Sequence, residues 1–533
     1  MLYVAVPFLA VAILLSLFRL YTTWTYHHAM SQYASPNGTG KPVTPPQIPY
    51  TLPFLGNTLS FLSTKPGAYW QNLFAWHPRS TGVLTLLIGG RNFHILFAPQ
   101  LVQAIFKARK PSRDAFDRDL YRQMFDMSTE QVELTEASKH MEHESNVAYL
   151  IRSERVNELT AKFTQVLREV LDRDIKETSG ASDLGLYVWL RDRMFTASTI
   201  ALMGEELLEM YPDYCRDFYV FDNAFLSFYF RIPNFLMRDA YEARARILRK
   251  LEAWSREMHR LSGGKPVDPE GPAWEPLFGS RLNRARHTDY TRRKLDWRSS
   301  ACFDLGLTFA FASNIIPVTG WMLMHVLDPQ GDTTLLPRVL EEIKASTKQD
   351  GTLNVPTLIA QPLLQCIWTE ALRMYVDILV TRNLPEDITL PLDEEGKRQV
   401  LFRKGDNIFA PSWLGSHNPN SWSEKAPYHR FCPERFLFKN PETGKTIFST
   451  LGTAAKLFPF GGGRTICPGR VFAKQEAIGA LALILLRFEF EVVGYLDAEK
   501  KPTDAFPGFA TAFPGSGGLV PGGDFQVKVR RRV

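Results

Sequence analysis

The segment that most constrains the fold is a glycine-rich loop near the C-terminus that ends in a cysteine. It reads Phe460-Gly461-Gly462-Gly463-Arg464-Thr465-Ile466-Cys467-Pro468-Gly469-Arg470, and an apolar helical run follows it from Val471 to about Phe488. Cys467 is therefore predicted at or just before a helix N-terminus, where free N–H groups and the helix dipole favour a thiolate. Successive glycines let the backbone approach a flat ligand that side chains would block.

A dry thiolate surrounded by hydrogen-bond donors is the axial ligand that haem iron takes in one class of oxygen-activating protein. Phe460 is predicted to pack under the loop and to keep water from the sulfur. The alternative is an ordinary glycine turn with a small buried cysteine. The loop alone favours the haem ligand over this simpler interpretation.

Two shorter motifs precede the loop. Glu370-Ala371-Leu372-Arg373 lies in the helical run from Pro362 to Tyr375, and its Glu and Arg, three residues apart, share one helix face. The second motif, Pro433-Glu434-Arg435-Phe436, supplies an arginine that we expect to join Glu370 and Arg373 by a tertiary contact. Each short motif is weak alone, but the order Glu370, Arg435, Cys467 is specific.

These three motifs together resemble the cytochrome P-450 family in its membrane-bound class. The resemblance implies a mainly α fold with a small β-rich subdomain, and a haem whose iron, the metal of the site, is bound by Cys467. It gives Glu370, Arg373 and Arg435 a structural role beneath the haem. The expected cofactor-binding residues are Cys467, Phe460, Gly461, Arg464, Gly469 and Arg382, of which Arg382 and Arg464 are the candidates for haem-propionate contacts.

The N-terminus predicts a membrane anchor. Residues 1–18 contain no charged side chain, and apolar residues continue past Arg19 to Tyr21. At about 1.5 Å per residue, roughly 20 helical residues span a hydrocarbon core of about 30 Å. A cleaved signal peptide is the alternative, but no basic stretch precedes the apolar run and no clear small-residue cleavage site follows it. We therefore predict an uncleaved transmembrane helix over residues 2–24.

A proline-rich segment follows, and we predict a semi-rigid hinge over residues 25–53 and a catalytic domain over residues 42–533. Arg19 and Lys41 follow the anchor, so the catalytic domain is expected on the cytosolic side. Family members with this layout are single-pass proteins of the endoplasmic reticulum membrane. The sequon Asn37-Gly38-Thr39 would carry no glycan in this orientation.

A second long uncharged run, Leu305 to Met324, could also be interpreted as a transmembrane helix. It contains polar residues at its middle, and Asp304 and Asp328 flank it. A helix that is apolar nearly all round but carries central polar groups fits the buried core of a large protein. The run lies about where the family places its long central helix over the haem, so we predict a buried helix.

This central helix departs from the common family pattern, in which an acidic residue followed by threonine handles dioxygen and relays protons. The matching positions here are Ser313 and Asn314, followed by Pro317 and Thr319. An Asn side chain can donate and accept hydrogen bonds, but it does not supply a proton by ionising. Pro317 lacks an N–H group, so the Ser313 carbonyl loses its helical partner and a kink is expected. Ser313, Asn314 and Thr319 are the candidate catalytic residues.

The Asn-x-x-Pro-x-Thr pattern is similar to a subgroup that contains cholesterol 7α-hydroxylase, sterol 12α-hydroxylase and prostacyclin synthase. The hydroxylases use dioxygen and two electrons, whereas prostacyclin synthase rearranges an endoperoxide without either. The resemblance therefore favours a monooxygenase that oxidises a steroid, triterpenoid or other terpenoid-like molecule. The alternative is an oxygen-independent isomerase or dehydratase that acts on a lipid peroxide; a haem protein for sensing or transport is a third, weaker possibility.

Bulk properties agree with this interpretation. With 533 residues, 45% of them hydrophobic, the chain can bury a large core around a cofactor. The five cysteines are widely spaced and odd in number, which suits a reducing compartment without a disulfide framework. The net charge of +6 is spread along the chain without a recognition motif, so we expect no nucleic-acid partner. The expected partners are a lipophilic substrate, the membrane and an NADPH-dependent cytochrome reductase, and the protein is expected to be a monomer.

Overall fold

Helices account for most of the chain in the computed structural model, which describes residues 2–34, 41–63, 65–77, 79–137, 139–177, 184–264, 267–393 and 395–532. The helices are α1 (Leu2–Ala34), α2 (Thr58–Phe61), α3 (Ala68–Trp76), α4 (Pro99–Lys107), α5 (Asp114–Gln123), α6 (Thr129–Ala137), α7 (Lys139–Leu150), α8 (Ser153–Glu177), α9 (Leu186–Met203), α10 (Glu206–Met210), α11 (Tyr214–Asp222), α12 (Phe225–Tyr229), α13 (Arg238–Leu261), α14 (Arg281–Arg292), α15 (Trp297–Ala312), α16 (Ile315–Leu327), α17 (Leu335–Ala345), α18 (Val355–Ile359), α19 (Pro362–Tyr375), α20 (Ser412–Ser416), α21 (Pro419–Trp422) and α22 (Arg470–Arg487).

The strands are short and form small sheets. They are β1 (Val83–Ile88), β2 (Arg91–Leu96), β3 (Leu184–Gly185), β4 (Trp274–Glu275), β5 (Gly279–Ser280), β6 (Val376–Asp377), β7 (Leu379–Asn383), β8 (Ile388–Pro391), β9 (Gln399–Phe402), β10 (Asn407–Pro411), β11 (Leu437–Lys439), β12 (Thr446–Phe448), β13 (Phe488–Leu496), β14 (Pro502–Thr503), β15 (Gly517–Gly518) and β16 (Asp524–Arg531). The two larger sheets have the strand orders β1-β2-β10-β7 and β14-β13-β16-β3. This arrangement agrees with the predicted mainly α fold with a small β-rich part.

The main core surrounds the helices that carry the motifs. Every residue of α16 except His325 is buried, and α22 is buried from Phe472 to Leu485 apart from Lys474. Apolar side chains of α8, α9, α15 and α19 belong to the same core. A helix that is apolar on all sides needs protein around its whole circumference, and these neighbours provide it.

The second apolar run is a core element, as predicted. Trp297–Leu327 has the length and hydropathy of a membrane span, but 72% of its apolar window is buried inside the protein. It divides into α15 and α16, with a break at Ser313 and Asn314. The break lies one turn before Pro317, where the missing N–H group was expected to interrupt the helix.

The N-terminal helix differs from the predicted division into anchor and hinge. Residues 8–21 are exposed or partly exposed, and Phe8–Tyr33 passes the same length and hydropathy criterion with only 6% burial. The helix continues without interruption to Ala34, because no proline or glycine occurs between Pro7 and that residue. Residues 25–34 are therefore helical, where part of a hinge was predicted.

The end of this helix is held against the rest of the protein. The Thr22 hydroxyl donates to the Tyr50 carbonyl at 2.9 Å, the Tyr26 hydroxyl lies 2.9 Å from His77 Nδ1, and Arg398 donates to the Tyr33 carbonyl at 2.8 Å. The proline-rich stretch from 41 to 53 is fixed as well, since its backbone hydrogen-bonds to Thr85 and Gln399. The sequon at Asn37 lies outside the described residues.

Candidate active site

The glycine loop is closed by its own backbone. The Cys467 N–H donates to the Phe460 carbonyl at 3.0 Å, and the Gly461 N–H donates to the Phe458 carbonyl at 3.0 Å. A short 3₁₀ turn over Gly463–Thr465 leads to the cysteine, and α22 begins three residues after it with Gly469 as its N-cap. The Phe460 ring lies against the main core, with its centroid 6.4 Å from that of Trp368. Cys467 thus occupies the predicted position before a helix N-terminus.

Two opposing effects act on the Cys467 thiol. Burial raises its pKa, while the backbone N–H groups of Gly469 and Arg470 and the charges of Arg470 and Arg113 lower it. Burial is the larger of these effects, so the pKa of the thiol is raised overall. Cys467 is nevertheless an exposed residue.

The glycines fit a close approach of the loop to its neighbours. A Cβ at Gly462 would lie 2.3 Å from the Phe106 ring, and one at Gly463, whose φ is +67°, would lie 2.4 Å from the Phe106 carbonyl oxygen. At Gly461, whose φ is +73°, a Cβ would meet Val380 at 3.7 Å and the Thr465 carbonyl oxygen at 4.0 Å, and a Cβ at Gly469 would lie 3.8 Å from the Cys467 sulfur. Gly462 and Gly463 therefore let the loop seat against α4, and Gly469 keeps a side chain away from the sulfur.

The Glu-Arg-Arg cluster is present. Arg373 contacts Glu370 at 2.7 Å and Arg435 contacts it at 3.1 Å, and Glu370 and Arg373 have no exposed surface. Arg373 also donates to the Ser416 carbonyl at 2.9 Å, and Arg435 donates to several carbonyls of the 422–430 segment. Buried charges need partners for all their donors and acceptors, and this cluster supplies them between α19 and the chain before β11.

Arg382, on β7, lies beside the loop. It is 5% exposed and donates to the carbonyls of Thr381 at 2.7 Å and Gly462 at 2.9 Å. Burial and the nearby charge of Arg113 lower its pKa, which the charge of Asp117 opposes. Among the described residues, no carboxylate forms an ion pair with Arg382. A buried guanidinium in this state is suited to an anionic ligand group.

Arg113 is a residue that the sequence did not single out. It follows Ser112, which bridges to Asn383 at the end of β7, so the chain pairing brings Arg113 next to Arg382. Its charge acts on both Arg382 and Cys467. A lone arginine in a loop between two short helices carries no sequence signal. Tertiary structure thus places an arginine from the region before residue 150 beside the loop, where it also pairs with Asp117 at 2.7 Å.

The three cations around the loop differ in their accessibility. Arg464 is exposed on the 3₁₀ turn, and Arg470 is half-buried and donates to the Cys467 carbonyl at 2.9 Å. Lys474 donates to Gln365 at 2.5 Å, and burial lowers its pKa. Lys474 is therefore turned inward, whereas Arg464 reaches solvent.

One face of α15 is open although the helix lies in the core. Ala310 is exposed, and Gly306, Leu307 and Asn314 are partly exposed, while the intervening residues are mostly buried. Their spacing of three to four residues places them on a single face. A mainly apolar surface of this kind on a core helix is one that a lipophilic molecule can contact.

The polar candidates lie at the end of this face. Asn314 Nδ2 donates to the Ala310 carbonyl at 3.2 Å, and its Oδ1 accepts from the Gly518 N–H at 3.1 Å. The Ser313 hydroxyl donates to Asp222, the last residue of α11. Thr319 is buried, and its hydroxyl donates to the Ile315 carbonyl at 2.9 Å. Ser313 and Asn314 are thus together at the break, and Thr319 lies behind them.

A model of the family described as Cytochrome P450 matches residues 46–254 and 313–513, most of the chain. The chain belongs to the cytochrome P450 family. The predicted resemblance is thereby confirmed. The enzyme is an oxidoreductase of the cytochrome P450 monooxygenase family, its cofactor is haem, and supply of electrons from NADPH through a partner reductase is typical of this family.

Curated relatives cover nearly the whole chain. A cytochrome P450 monooxygenase, calL, of Penicillium decumbens is 26% identical over 90% of this chain and 91% of its own. Another, efuG, of Hormonema carpetanum is 26% identical over 98% of this chain and 96% of its own. The cholesterol 7-alpha-monooxygenase of Cricetulus griseus is 29% identical over 58% of this chain and 60% of its own, in keeping with the predicted subgroup likeness.

The fold has a counterpart among solved structures. The crystal structure of the cytochrome P450DA heme domain superposes with a TM-score of 0.66 at 17% identity, covering 92% of this chain and 98% of that one. The predicted cytochrome P450 fold is therefore confirmed. The residues present also fit haem, because an exposed cysteine, a loop with glycines on both sides of it and Arg382, which has no carboxylate partner among the described residues, meet at one place.

Proposed function

We propose that Cys467 is the axial ligand of the haem iron and that this P450 hydroxylates a lipophilic terpenoid or steroid. The exposed residue Cys467, three residues before the start of α22, is the observation that carries the proposal. Haem bound through a thiolate supplies dioxygen activation, since the thiolate donates electron density that favours O–O cleavage. Cys467 would hold the iron through its deprotonated sulfur, the form that burial alone disfavours.

The other residues of the loop are assigned roles from their positions. Phe460 and Gly461 shape the loop beneath the cofactor, and Gly469 leaves room and an N–H group beside the sulfur. Arg382, together with Arg113, is placed to bind the haem propionates through charge-assisted hydrogen bonds. Arg464, exposed on the loop, is the second propionate candidate. The buried cluster of Glu370, Arg373 and Arg435 holds the core below the loop.

The substrate class follows from the open face of α15 and from the relatives. Gly306 and Ala310 offer almost no polar surface, so an apolar, rigid molecule fits beside them better than a charged one. The likeness to a cholesterol 7-alpha-monooxygenase supports a steroid or a related terpenoid. Ser313 and Asn314 are the polar groups at the end of this face and would handle oxygen and protons there, with Thr319 supporting the kinked helix from behind.

A peroxide rearrangement is the second candidate function. It is favoured by one observation, the lack of an ionisable residue at Ser313–Asn314, because an isomerase or dehydratase needs no proton supply from solvent. The Asn314 amide is compatible with both monooxygenation and peroxide rearrangement, because it can orient an oxygen ligand in either reaction. The monooxygenase is preferred because the relatives that span the chain are monooxygenases.

The membrane arrangement is proposed from the N-terminal helix. Residues 2–24 form a single-pass anchor in the endoplasmic reticulum membrane, and the catalytic domain over 42–533 is cytosolic. Residues 25–53 link the anchor to this domain. The protein acts as a monomer and accepts electrons from an NADPH–cytochrome reductase. Protease accessibility of the catalytic domain in sealed microsomes tests the orientation, and a glycan at Asn37 would overturn it.

The experiment for the function is turnover in microsomes with NADPH and reductase under heavy-isotope dioxygen. The substrates are a panel of steroids, terpenoids and one lipid endoperoxide. We expect one labelled oxygen in a steroid or terpenoid product. An unlabelled, rearranged product that forms without NADPH would replace the monooxygenase with the peroxide isomerase.

A further inference from the structure

We propose that Asp222 is the acid of this site: it delivers protons to the break in the central helix through the hydroxyl of Ser313. The proposal rests on the monooxygenase function proposed above, which consumes protons as well as electrons. It answers the main departure in the sequence, since the helix itself carries no acid at the break. The acid comes from a different helix, α11, 91 residues earlier in the chain.

The contact between the two residues is direct. Ser313 Oγ donates to Asp222 Oδ1, and Ser313 is 5% exposed. Asp222 is the last residue of α11, and Ser313 is the C-cap of α15. Both side chains therefore leave helix ends at one point, which is also where the open face of α15 terminates.

The neighbouring amide is already engaged. Asn314 gives its N–H to Ala310 and accepts from Gly518, so one donor and one acceptor of the side chain are used to hold the break. An amide also has no proton that it can release near neutral pH. Ser313 is the polar group at the break that is connected to an ionisable one.

The environment of Asp222 suits a proton donor. Burial raises the pKa of Asp222 to about 6, and the bond from Ser313 lowers it by a smaller amount. Part of the residue's surface stays accessible, but the carboxyl itself is enclosed by neighbouring side chains, and this local burial governs its ionisation. A pKa close to the working pH lets a group both release and regain a proton.

Polar groups continue behind Asp222 towards the surface. The hydroxyls of Tyr187 on α9 and Tyr219 on α11 are buried without a hydrogen-bond partner among the described residues, and the charge of Asp222 raises the pKa of each. Arg191 lies over the Tyr219 ring at 4.5 Å and pairs with Asp192, whose side chain is 43% exposed.

Two other titratable groups act on these tyrosines. They are Cys215 on α11, which acts on Tyr219, and Asp524 on β16, which acts on Tyr187. Two buried hydroxyls that lack partners are costly, unless water or transient proton transfer uses them. They mark a polar route from Asp192 to Asp222.

The proton transfer balances without a further reactant. When Asp222 is protonated, its carboxyl donates to Ser313 Oγ, and the Ser313 hydroxyl turns to donate to an oxygen acceptor at the end of the open face of α15. The Asp222 proton then passes to Ser313 Oγ as Ser313 releases its own hydroxyl proton to that acceptor. Asp222 is left as a carboxylate and takes a proton from solvent along the tyrosine-lined route. The electrons come from the reductase, so no group of the protein is oxidised or reduced in this step.

The test compares a set of variants at Asp222. Asp222→Asn keeps an Oδ1 acceptor for Ser313 but has no acidic proton, and Asp222→Glu restores an acid. The matched control is Glu476→Gln, which removes the carboxyl of another buried pair, Glu476 with Ser198, within the helical core. The first readout needs no turnover: the infrared carbonyl band of the protonated acid in the purified holoprotein, followed from pH 4 to 9.

We expect a carboxylic acid band that titrates near pH 6 in the wild type and in Glu476→Gln, and that is absent in Asp222→Asn. A spectrum in which Asp222→Asn removes no titrating band would overturn the proposal. This result stands apart from the function, because it is obtained without substrate or reductase.

The second readout is coupling on the panel compound that acquires labelled oxygen. Product per NADPH should fall about tenfold or more in Asp222→Asn with a matching rise in hydrogen peroxide, should recover in part in Asp222→Glu, and should stay unchanged in Glu476→Gln. Coupling in the wild type should change with pH near pH 6, and this change should be missing in Asp222→Asn. Equal coupling in Asp222→Asn and wild type would show that Asp222 only pins the helix end. Absence of label from every product in every variant would instead refute the monooxygenase.

Discussion

The two sides of the proposed haem site are built in different ways. The cysteine side consists of the loop from Phe460 to Arg470 and the cluster of Glu370, Arg373 and Arg435. The break side consists of Ser313, Asn314 and the groups that contact them. On the cysteine side the key residues lie within two short motifs and a loop, whereas Asn314 meets Gly518 across 204 residues of chain.

This difference explains which part of the site is rigidly specified. A loop closed by its own backbone and a fully buried ion cluster leave little freedom for substitution, because each charge or N–H group has a fixed partner. The break side relies on single hydrogen bonds between separate elements. Such contacts are easier to change without unfolding the protein, and this is where we expect differences in chemistry between related chains to arise.

The largest effect should come from Cys467→Ala, which tests the cysteine side. Without the sulfur no thiolate ligand remains, so we expect complete loss of the reduced carbon monoxide spectrum typical of haem–thiolate proteins and loss of most haem. Cys432→Ala, at a half-buried cysteine next to the Glu-Arg-Arg cluster, is the control. A normal thiolate spectrum in Cys467→Ala would refute the assignment of the ligand.

The next largest effect concerns the cluster. Glu370→Gln leaves Arg373 and Arg435 buried without their carboxylate, and removal of one partner from a buried pair costs about 3–5 kcal/mol. We expect a loss of this order in the free energy of unfolding, or no folded holoprotein, in denaturant titration. Glu499→Gln in the exposed pair with Lys501 should change it by about 0–1 kcal/mol. Similar effects for the two variants would contradict the structural role of the cluster.

The sequence predicts the cysteine side because its motifs are local. Glu370 and Arg373 are one helical turn apart, and the glycine loop specifies both its turn and the helix that follows. Only Arg435 needed a tertiary contact, and the fold supplied it. The family resemblance provided the rest of the architecture, including the buried central helix.

The break side could be predicted only in part. Pro317 indicated an interruption, and the structure has one at Ser313 and Asn314. Asp222 carries no motif, and its contact with Ser313 depends on how α11 packs across the central helix. In the closing stretch the Ala510 N–H donates to the nearby Val520 carbonyl, whereas β16 pairs with β13. Long-range pairing of this kind has no local sequence signal.

The dependence of stability on pH sharpens the comparison. The Ser313 hydroxyl donates to the Asp222 carboxyl at the break, and the Ser198 hydroxyl donates to the Glu476 carboxyl on α22, the helix that follows the cysteine loop. Burial raises the pKa of Glu476 on α22 to about 8, above its ordinary value of 4.5. The folded state therefore holds an extra proton between these values, and stability falls as pH rises through this window. Glu476→Gln should remove this dependence of the free energy of unfolding on pH. Above pH 8 it should raise that free energy by roughly a few kcal/mol.

The measurement is the melting temperature of the wild type and Glu476→Gln between pH 5 and 9. Asp222→Asn is measured alongside, because the pH range in which Asp222 changes the free energy of unfolding should end lower, near pH 6. Parallel curves for the wild type and Glu476→Gln would show that Glu476 is not held protonated by the fold.

The smallest effect is expected for Asn314→Ala, and it separates oxygen handling from structure. The variant leaves the Gly518 N–H and the Ala310 carbonyl without their partner, which should cost about 1–3 kcal/mol of stability. If Asn314 also orients oxygen at the break, hydrogen peroxide released per NADPH should rise severalfold while the haem–thiolate spectrum is unchanged. Gly518→Ala is the matched control, because its Cβ would lie 2.7 Å from the Asn314 carbonyl oxygen and would disturb the same contact while retaining the amide. Equal uncoupling in both variants would assign the effect to the geometry of the break. Uncoupling in Asn314→Ala alone would assign it to the amide. Unchanged coupling in both would show that Asn314 only supports β15.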